Sequence, residues 1–322
     1  MRIFVTGGSG FIGSHFVDVL QAAGHEVANY DIKAPTFAHH AKLWHWGDIL
    51  APEDLQAAMA DFEPDAVVHL AAHADITSTA WEDFASIHRG TENVLRAIER
   101  TPSVKRFANV STQLVIGPEY TPRSLLDYRP YTLYGEAKAY AEAAVLQWQG
   151  GCHWFTVRPA TIWGPHHPSF ANEIWRYIAR RFYLHPESKA PVLRSYGYVR
   201  NTAAQLLALL RADPQATCRQ VYYLADAVMD SAIWADAFAV GLTDRKARRI
   251  PTVALKALGA AGDVVKAAGL RSPIDSGRAL RMTETYAVPL DATFALTGPL
   301  PVPFEQGVTE SVGWLRSLKA AA

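Results

Sequence analysis

The chain has 322 residues, enough to bury one large or two modest hydrophobic cores. Lys plus Arg equals Asp plus Glu at 31 each, which argues against a nucleic acid or an anionic membrane as partner. Two cysteines, Cys152 and Cys218, make neither a disulfide framework nor a metal-ligand spacing, and no apolar run approaches membrane-spanning length. With a strand beginning at once at the amino terminus, a soluble, cytoplasmic protein is expected.

Arg2-Ile3-Phe4-Val5 reads as a buried parallel strand, and Ile12, Phe16, Val17 and Leu20 then recur at helical spacing. Between them lies Thr6-Gly7-Gly8-Ser9-Gly10-Phe11-Ile12-Gly13, with Gly7, Gly10 and Gly13 three apart. In a strand-to-helix turn the first glycine permits the tight bend and the second lets backbone approach a pyrophosphate. The third lets helix and strand pack closely, and the amides at the helix start face the phosphates. His25 to Tyr30 is a second strand, and Asp31 closes it eighteen residues after Gly13. A carboxylate there accepts from the adenosine ribose hydroxyls and repels a 2′-phosphate, so the dinucleotide expected is NAD, although nearby Lys33 blunts the distinction.

Strand-like and helix-like segments continue to alternate, the pattern of a parallel sheet with helices on both faces. Leu43 to Trp46 is a third strand, and Pro52 to Ala60 a helix opened by proline, Glu53 and Asp54. Ala66 to Leu70 is a fourth strand running into the small residues Ala71 and Ala72, and a helix follows from about Thr91 to Glu99. Phe107 to Val110 is a fifth strand ending at Ser111-Thr112. After a loop from Pro118 to Arg129, Ala137, Tyr140, Ala141, Ala144, Val145 and Trp148 mark a clear helix. Trp154 to Val157 is a sixth strand. Beyond Gly164-Pro165 the alternation fades: Phe170 to Phe182 reads as one amphipathic helix, Val192 to Val199 includes a short strand, Thr202 to Leu210 is helical, and Val221 to Leu224 is a strand. The last hundred residues are mixed helix and loop, expected as a smaller lobe over the sheet's carboxyl edge.

Tyr134 and Lys138 stand four apart at the start of the clear helix, so both side chains lie on one side. An ammonium beside a phenol favours the phenolate and brings the tyrosine towards the range of a general base. A hydroxyl from Ser111 or Thr112 would meet Tyr134 at the sheet's carboxyl edge.

The glycine loop, His69-Leu70-Ala71-Ala72, Val110-Ser111-Thr112, Tyr134 to Lys138 and Arg158-Pro159 together resemble the extended short-chain dehydrogenase/reductases. Within them the chain looks like the NAD-dependent epimerase/dehydratase group, many of which act on nucleotide sugars. The likeness is good over roughly the first 165 residues and patchy beyond. It implies an α/β fold, a Rossmann-type doubly wound parallel sheet with a smaller C-terminal substrate-binding lobe. The implied NAD-binding domain is 1–165, with 197–225 returning to it, and the lobe is mainly 166–196 and 226–322. Tyr134 becomes the acid/base, Lys138 its partner on the ribose, and Thr112, counted back from Val115-Ile116-Gly117, the hydroxyl on the substrate oxygen. Gly7, Gly10, Phe11, Ile12 and Gly13 would hold the phosphates, Asp31 the ribose, Asp48 and Ile49 the adenine, and Leu70, Ala71 and Ala72 would pass beneath the pyrophosphate. Asn172, Arg194 and, as a third candidate, Arg281 would meet the substrate. A homodimer packed through the Tyr134 helix is also implied.

Departures narrow the chemistry. Sugar dehydratases of this group carry an Asp-Glu pair after the catalytic hydroxyl, where this chain has Gln113-Leu114, so 4,6-dehydration is not expected. His88 replaces the first Asn of Asn-x-x-Gly-Thr-x-Asn, as a structural substitute or an added proton carrier. Arg200-Asn201 replaces an Asp-Asp or Asp-Asn pair. His166 and His167 point apart as neighbours, and no metal is expected. The activity expected is epimerisation of a nucleotide sugar through a keto intermediate. Alternatives are an alcohol or ketone dehydrogenase/reductase of hydroxysteroid type, suggested by Val157 to Pro165, and a non-catalytic NAD-binding regulator. A diphosphate needs fixed cations such as Arg176, Arg180, Arg181 and Arg194; an apolar substrate needs a slot such as Trp175, Phe182 and Tyr196 could line.

Overall fold

The computed structural model describes residues 1–76, 78–118 and 120–320 and divides the chain into two units. Unit 1 comprises 1–162, 197–226 and 289–301; unit 2 comprises 163–196, 227–288 and 302–322.

Unit 1 is built on β1 (Arg2–Thr6), β2 (Glu26–Asp31), β3 (Trp44–Trp46), β4 (Ala66–His69), β5 (Arg106–Val110), β6 (His153–Pro159) and β7 (Val221–Leu224). Among the described residues these form one seven-stranded sheet in the order β7-β6-β5-β4-β1-β2-β3, with every neighbouring pair parallel. The central strands are near-continuous apolar runs because helices cover both faces. On one face, Phe16, Val17 and Leu20 of α1 (Phe11–Ala22) and Ala203, Leu206 and Leu210 of α5 (Val199–Arg211) pack on Ile3, Val5 and Val68. On the other, Leu55 and Met59 of α2 (Pro52–Phe62), Val94 and Ile98 of α3 (Ala85–Glu99) and Val145 of α4 (Leu133–Gln147) pack on Phe4, Val67 and Phe107. Strand order reverses between β1 and β4. In doubly wound sheets the crevice outside that point, at the carboxyl ends of the strands, takes the ligand.

Helix starts follow local chemistry. Pro52 needs no amide partner in the first turn of α2, and the Thr132 hydroxyl caps α4 by accepting from the Gly135 amide at 3.0 Å. One further helix, α6 (Asp291–Thr297), belongs to unit 1, although 226–322 reads from sequence as mainly the second lobe. It packs on α5 and β7, and Thr293 donates to the Tyr223 carbonyl at 2.7 Å.

In unit 2, Ala227–Asp230 runs antiparallel to Leu193–Tyr196, and Arg248–Pro251 runs parallel to Leu184–Glu187. The helix expected over 170–182 is two pieces, Pro168–Asn172 and Ile174–Ala179, because Glu173 leaves helical geometry at φ −118° and ψ −85°. Arg181 at φ 62° then turns the chain away. An aromatic core replaces the aliphatic one of the sheet: Trp175 stacks on Phe238 at 5.0 Å, and Tyr196 stacks on Trp234 at 5.3 Å. Among the described residues, no helix is long and apolar enough to cross a membrane.

Candidate active site

The first loop after β1 is shaped by what a side chain would strike. A methyl group at Gly7, where φ is +77°, would come within 2.4 Å of the Ala71 amide nitrogen, and one at Gly13 within 2.2 Å of the Gly7 carbonyl oxygen. Gly10 begins α1 without a side-chain cap, and Phe11 and Ile12 form its partly exposed first turn. Such a helix start, stripped of side chains, accepts an anion on its backbone amides. Leu70 and Ala71 lie against this loop from β4: the Leu70 amide donates to the Thr6 carbonyl at 2.9 Å, and the Ala71 amide to the Thr6 hydroxyl at 3.5 Å. Buried His69 ties the two strands together, its Nδ1 2.7 Å from the Thr6 hydroxyl and its Nε2 3.0 Å from that of Thr91. Burial lowers the His69 pKa to about 3, so the ring is neutral and serves as a brace.

Asp31, at the end of β2, is held by the Ser9 amide at 3.0 Å on one oxygen and the Lys33 amide at 2.9 Å on the other. Asp48 and Ile49 are fixed next along the sheet edge: Tyr30 donates to the Asp48 carbonyl at 3.4 Å, and the Asn93 amide group to the Ile49 carbonyl at 2.9 Å. Loop, carboxylate and small residues thus have the chemistry that a dinucleotide would need. Asp31→Ala is expected to raise the KM for NAD by about tenfold or more, as loss of a charge-assisted bond does, and to raise it far less for NADP. Steady-state kinetics with both cofactors measures this.

At the ends of β5 and α4, Thr112 and Tyr134 are hydrogen-bonded, and Thr112 Oγ1 also accepts from the Leu114 amide at 3.3 Å. Tyr134 packs with Phe84, Ile87, Ala137 and Ala141. Ser111, the residue before Thr112, is buried too, but its hydroxyl has no partner among the described residues. Lys138 lies one helical turn on from Tyr134 and donates to the Val110 carbonyl at 2.8 Å. This departs from the expected electrostatics. Burial pushes the Tyr134 phenol up to about 12 against a lowering by the Thr112 bond, and burial pulls Lys138 down to about 8. The Lys138 ammonium is turned to the strand carbonyl.

A lysine whose folded pKa is depressed from 10.5 to about 8 costs stability below pH 8, and the cost fades as pH rises towards 10.5. At roughly 1.4 kcal/mol per unit the cost is about 3 kcal/mol, offset by the bond to Val110. Lys138→Met is therefore expected to leave the fold as stable as wild type or about 1 kcal/mol more stable at pH 7 while activity collapses. Denaturant melts beside turnover assays test both halves.

His88 stacks on Trp81 at 4.9 Å with planes 7° apart, and its Nε2 is buried without a partner among the described residues. Gln113 is buried, with its amide nitrogen 3.5 Å from the Thr161 hydroxyl. The substrate candidates lie in unit 2. Asn172 is exposed at the end of its short helix. Arg194 and Arg281 are brought together, but Arg281 contributes its backbone: the Arg194 guanidinium donates to the carbonyls of Arg281 and Glu284. Sequence reasoning did not find His69 as the brace between β1 and β4, nor Glu142, whose carboxylate lies buried behind Lys138 and favours the lysine's charge.

The sequence pattern of the NAD dependent epimerase/dehydratase family matches residues 3–225. The chain belongs to this family. The matched stretch takes in the glycine loop, Thr112, Tyr134 and Lys138. A 3-beta-hydroxysteroid dehydrogenase of Mycolicibacterium neoaurum is 33% identical over 176 residues, covering 51% of this chain and 48% of that protein, so the chain spans about half of that relative. A 4-hydroxy-2-methyl-3-oxo-4-farnesyl-3,4-dihydroquinoline-1-oxide ketoreductase of Stigmatella aurantiaca is 30% identical over 236 residues, covering 70% and 68% of the two chains. The UDP-glucose 4-epimerase of Thermotoga maritima superposes with a TM-score of 0.76 at 20% identity, covering 99% of this chain and 100% of that one; this likeness is of fold.

Proposed function

We propose that this enzyme interconverts a secondary alcohol and a ketone on a largely apolar substrate and releases the product, as a dehydrogenase/reductase. The observation that carries this reading is Arg194. One amino group of Arg194, the arginine that the resemblance assigns to a diphosphate, donates instead to the backbone carbonyls of Arg281 and Glu284. Two of the sequence relatives, a hydroxysteroid dehydrogenase and a ketoreductase, support the same reaction class. Gln113 and Leu114 offer no acid or base for dehydration.

Bound NAD would supply the hydride acceptor for the carbinol carbon and, in its reduced form, the hydride donor for the carbonyl carbon. Tyr134 handles the proton. With its pKa near 12 it is a neutral phenol at pH 7, armed to protonate a ketone oxygen as the hydride arrives. In the oxidative direction the phenolate takes the alcohol proton, and a charged Lys138 brought off Val110 would stabilise it. Thr112, already bonded to Tyr134, orients the oxygen between two hydroxyls. Gly7, Gly10, Phe11, Ile12, Gly13, Asp31, Asp48, Ile49 and the Leu70-Ala71-Ala72 turn hold the dinucleotide.

Epimerisation of a nucleotide sugar is the second reading, favoured by the same hydroxyl pair, which would serve a keto-sugar equally well; Asn172 and Arg194 are then its substrate contacts. A cytoplasmic homodimer packed through α3 and α4 completes the proposal. The Trp81 and Tyr140 rings, 36% and 49% exposed on that side, suit such a contact, and sedimentation reads it directly.

The two readings separate on one assay. Purified enzyme with NAD is offered hydroxysteroids and simpler alicyclic alcohols, then UDP- and dTDP-hexoses. NADH accumulating with the alcohols supports the dehydrogenase. Inversion of a sugar carbon without net NADH, on protein that carries tightly held NAD, overturns it in favour of the epimerase.

A further inference from the structure

Away from the hydride-transfer site, unit 1 gathers three side chains of a kind that binds metal. Asp18 projects from the middle of α1 towards the segment between β2 and β3, where a short 3-10 turn spans Ala38–Leu43. There the adjacent His39 and His40 converge: the Nε2 atoms of both lie 2.7 Å from the same Asp18 oxygen, Oδ1. Neighbouring histidines on a strand point apart; the tight turn brings these rings to 4.4 Å between centroids at 71°. Two nitrogens and one oxygen lie within 4.8 Å of one another.

We propose that Asp18, His39 and His40 form a binding site for a divalent first-row transition ion, with Zn2+ as the reference ligand. Imidazole and carboxylate are the donors such ions select, and three protein ligands with an open fourth position is a common coordination. Zn–N and Zn–O bonds near 2.1 Å require ligand atoms roughly 3.3 Å apart, so each nitrogen need retreat only about 0.6 Å from Oδ1. The burial pattern suits this adjustment. The His40 side chain is fully buried, held edge-on to Phe37, while His39 is 63% exposed and stacks flat on the same ring. The Asp18 side chain is 40% exposed, which leaves a path for the ion and for a water ligand.

The site's place gives it a consequence. The segment that carries both histidines follows Asp31 directly, and Thr36 within it donates to the Ser9 carbonyl of the glycine loop at 2.9 Å. An ion there would tie that segment to α1 and stiffen the wall beside the adenosine half of the dinucleotide.

The test is equilibrium dialysis of metal-stripped full-length protein against Zn2+, with Co2+ as a spectroscopic stand-in. Wild type is expected to bind one equivalent of Zn2+, to show a tetrahedral Co2+ absorption band, and to melt at higher temperature with Zn2+. His39→Ala and Asp18→Asn, both on exposed side chains, are expected to weaken binding at least ~10-fold and to abolish band and melting shift, while folding as wild type without metal. Equal Zn2+ binding and equal bands in wild type and both variants would place the ion elsewhere and overturn the assignment. So would no binding by wild type at all.

Discussion

Tyr134→Phe is expected to lower kcat by about 10²- to 10⁴-fold while NAD affinity and melting temperature stay near wild type. The range is what a positioned proton donor contributes to a transition state. The substitution removes one oxygen from a ring that is otherwise packed among Phe84, Ile87, Ala137 and Ala141. Its hydroxyl bonds to Thr112, whose oxygen keeps a second partner in the Leu114 amide. Deleting it therefore strands no buried group, and the stability change should stay within about 1 kcal/mol. Thr112→Val should lose less activity, because the phenol can still reach the oxygen without its orienting neighbour. A fall in NAD affinity comparable to the fall in kcat would show that Tyr134 holds the cofactor and does not carry the proton. Fluorescence titration with NADH and single-turnover rates, measured on the same preparations, separate these outcomes.

The glycine loop, Asp31 and the alternation of strands were legible because each rests on local chain geometry. Gly7 needs φ +77° and an open side towards Ala71, and such a demand leaves a glycine in the sequence. The same reasoning placed Tyr134 and Lys138 on one helical turn, but it could not see where the ammonium would rest. That depends on the Val110 carbonyl, 28 residues earlier in the chain. Arg194 shows the same limit: its charge was visible, and its engagement by carbonyls 87 and 90 residues away was not. The break at Glu173 escaped because the apolar spacing runs on through it while the backbone does not. His39 and His40 were passed over because adjacent side chains converge only in a turn tighter than an α-helix. What the sequence hid, then, was partnership between distant residues, and the buried ion pair behind the active site is the sharpest instance.

Glu142 and Arg158 are each 3% exposed, on α4 and β6, with Arg158 Nη2 2.7 Å from Glu142 Oε2 and Nε 3.0 Å from Oε1. Arg158 also donates to the Tyr223 hydroxyl at 3.0 Å, and its guanidinium lies 5.7 and 5.6 Å from the rings of Tyr128 and Tyr223. Two charges this far from water repay their desolvation only through each other and these added bonds. Glu142→Gln keeps the shape but leaves a guanidinium, always charged, against an amide, and is expected to destabilise the chain by about 3–5 kcal/mol. Because Glu142 also favours the charged form of Lys138, the surviving folded fraction should show a lysine pKa below about 8 and a weakened phenolate. A double replacement, Glu142→Met with Arg158→Met, removes both charges and should recover much of the loss, although the Tyr223 hydroxyl gives up a partner. Urea melts of Glu142→Met, Arg158→Met and the double variant, run beside Glu142→Gln, close this cycle. If Glu142→Gln costs no more than an exposed pair would, about 1 kcal/mol or less, the two side chains are hydrated in solution and the pair does not bind α4 to β6.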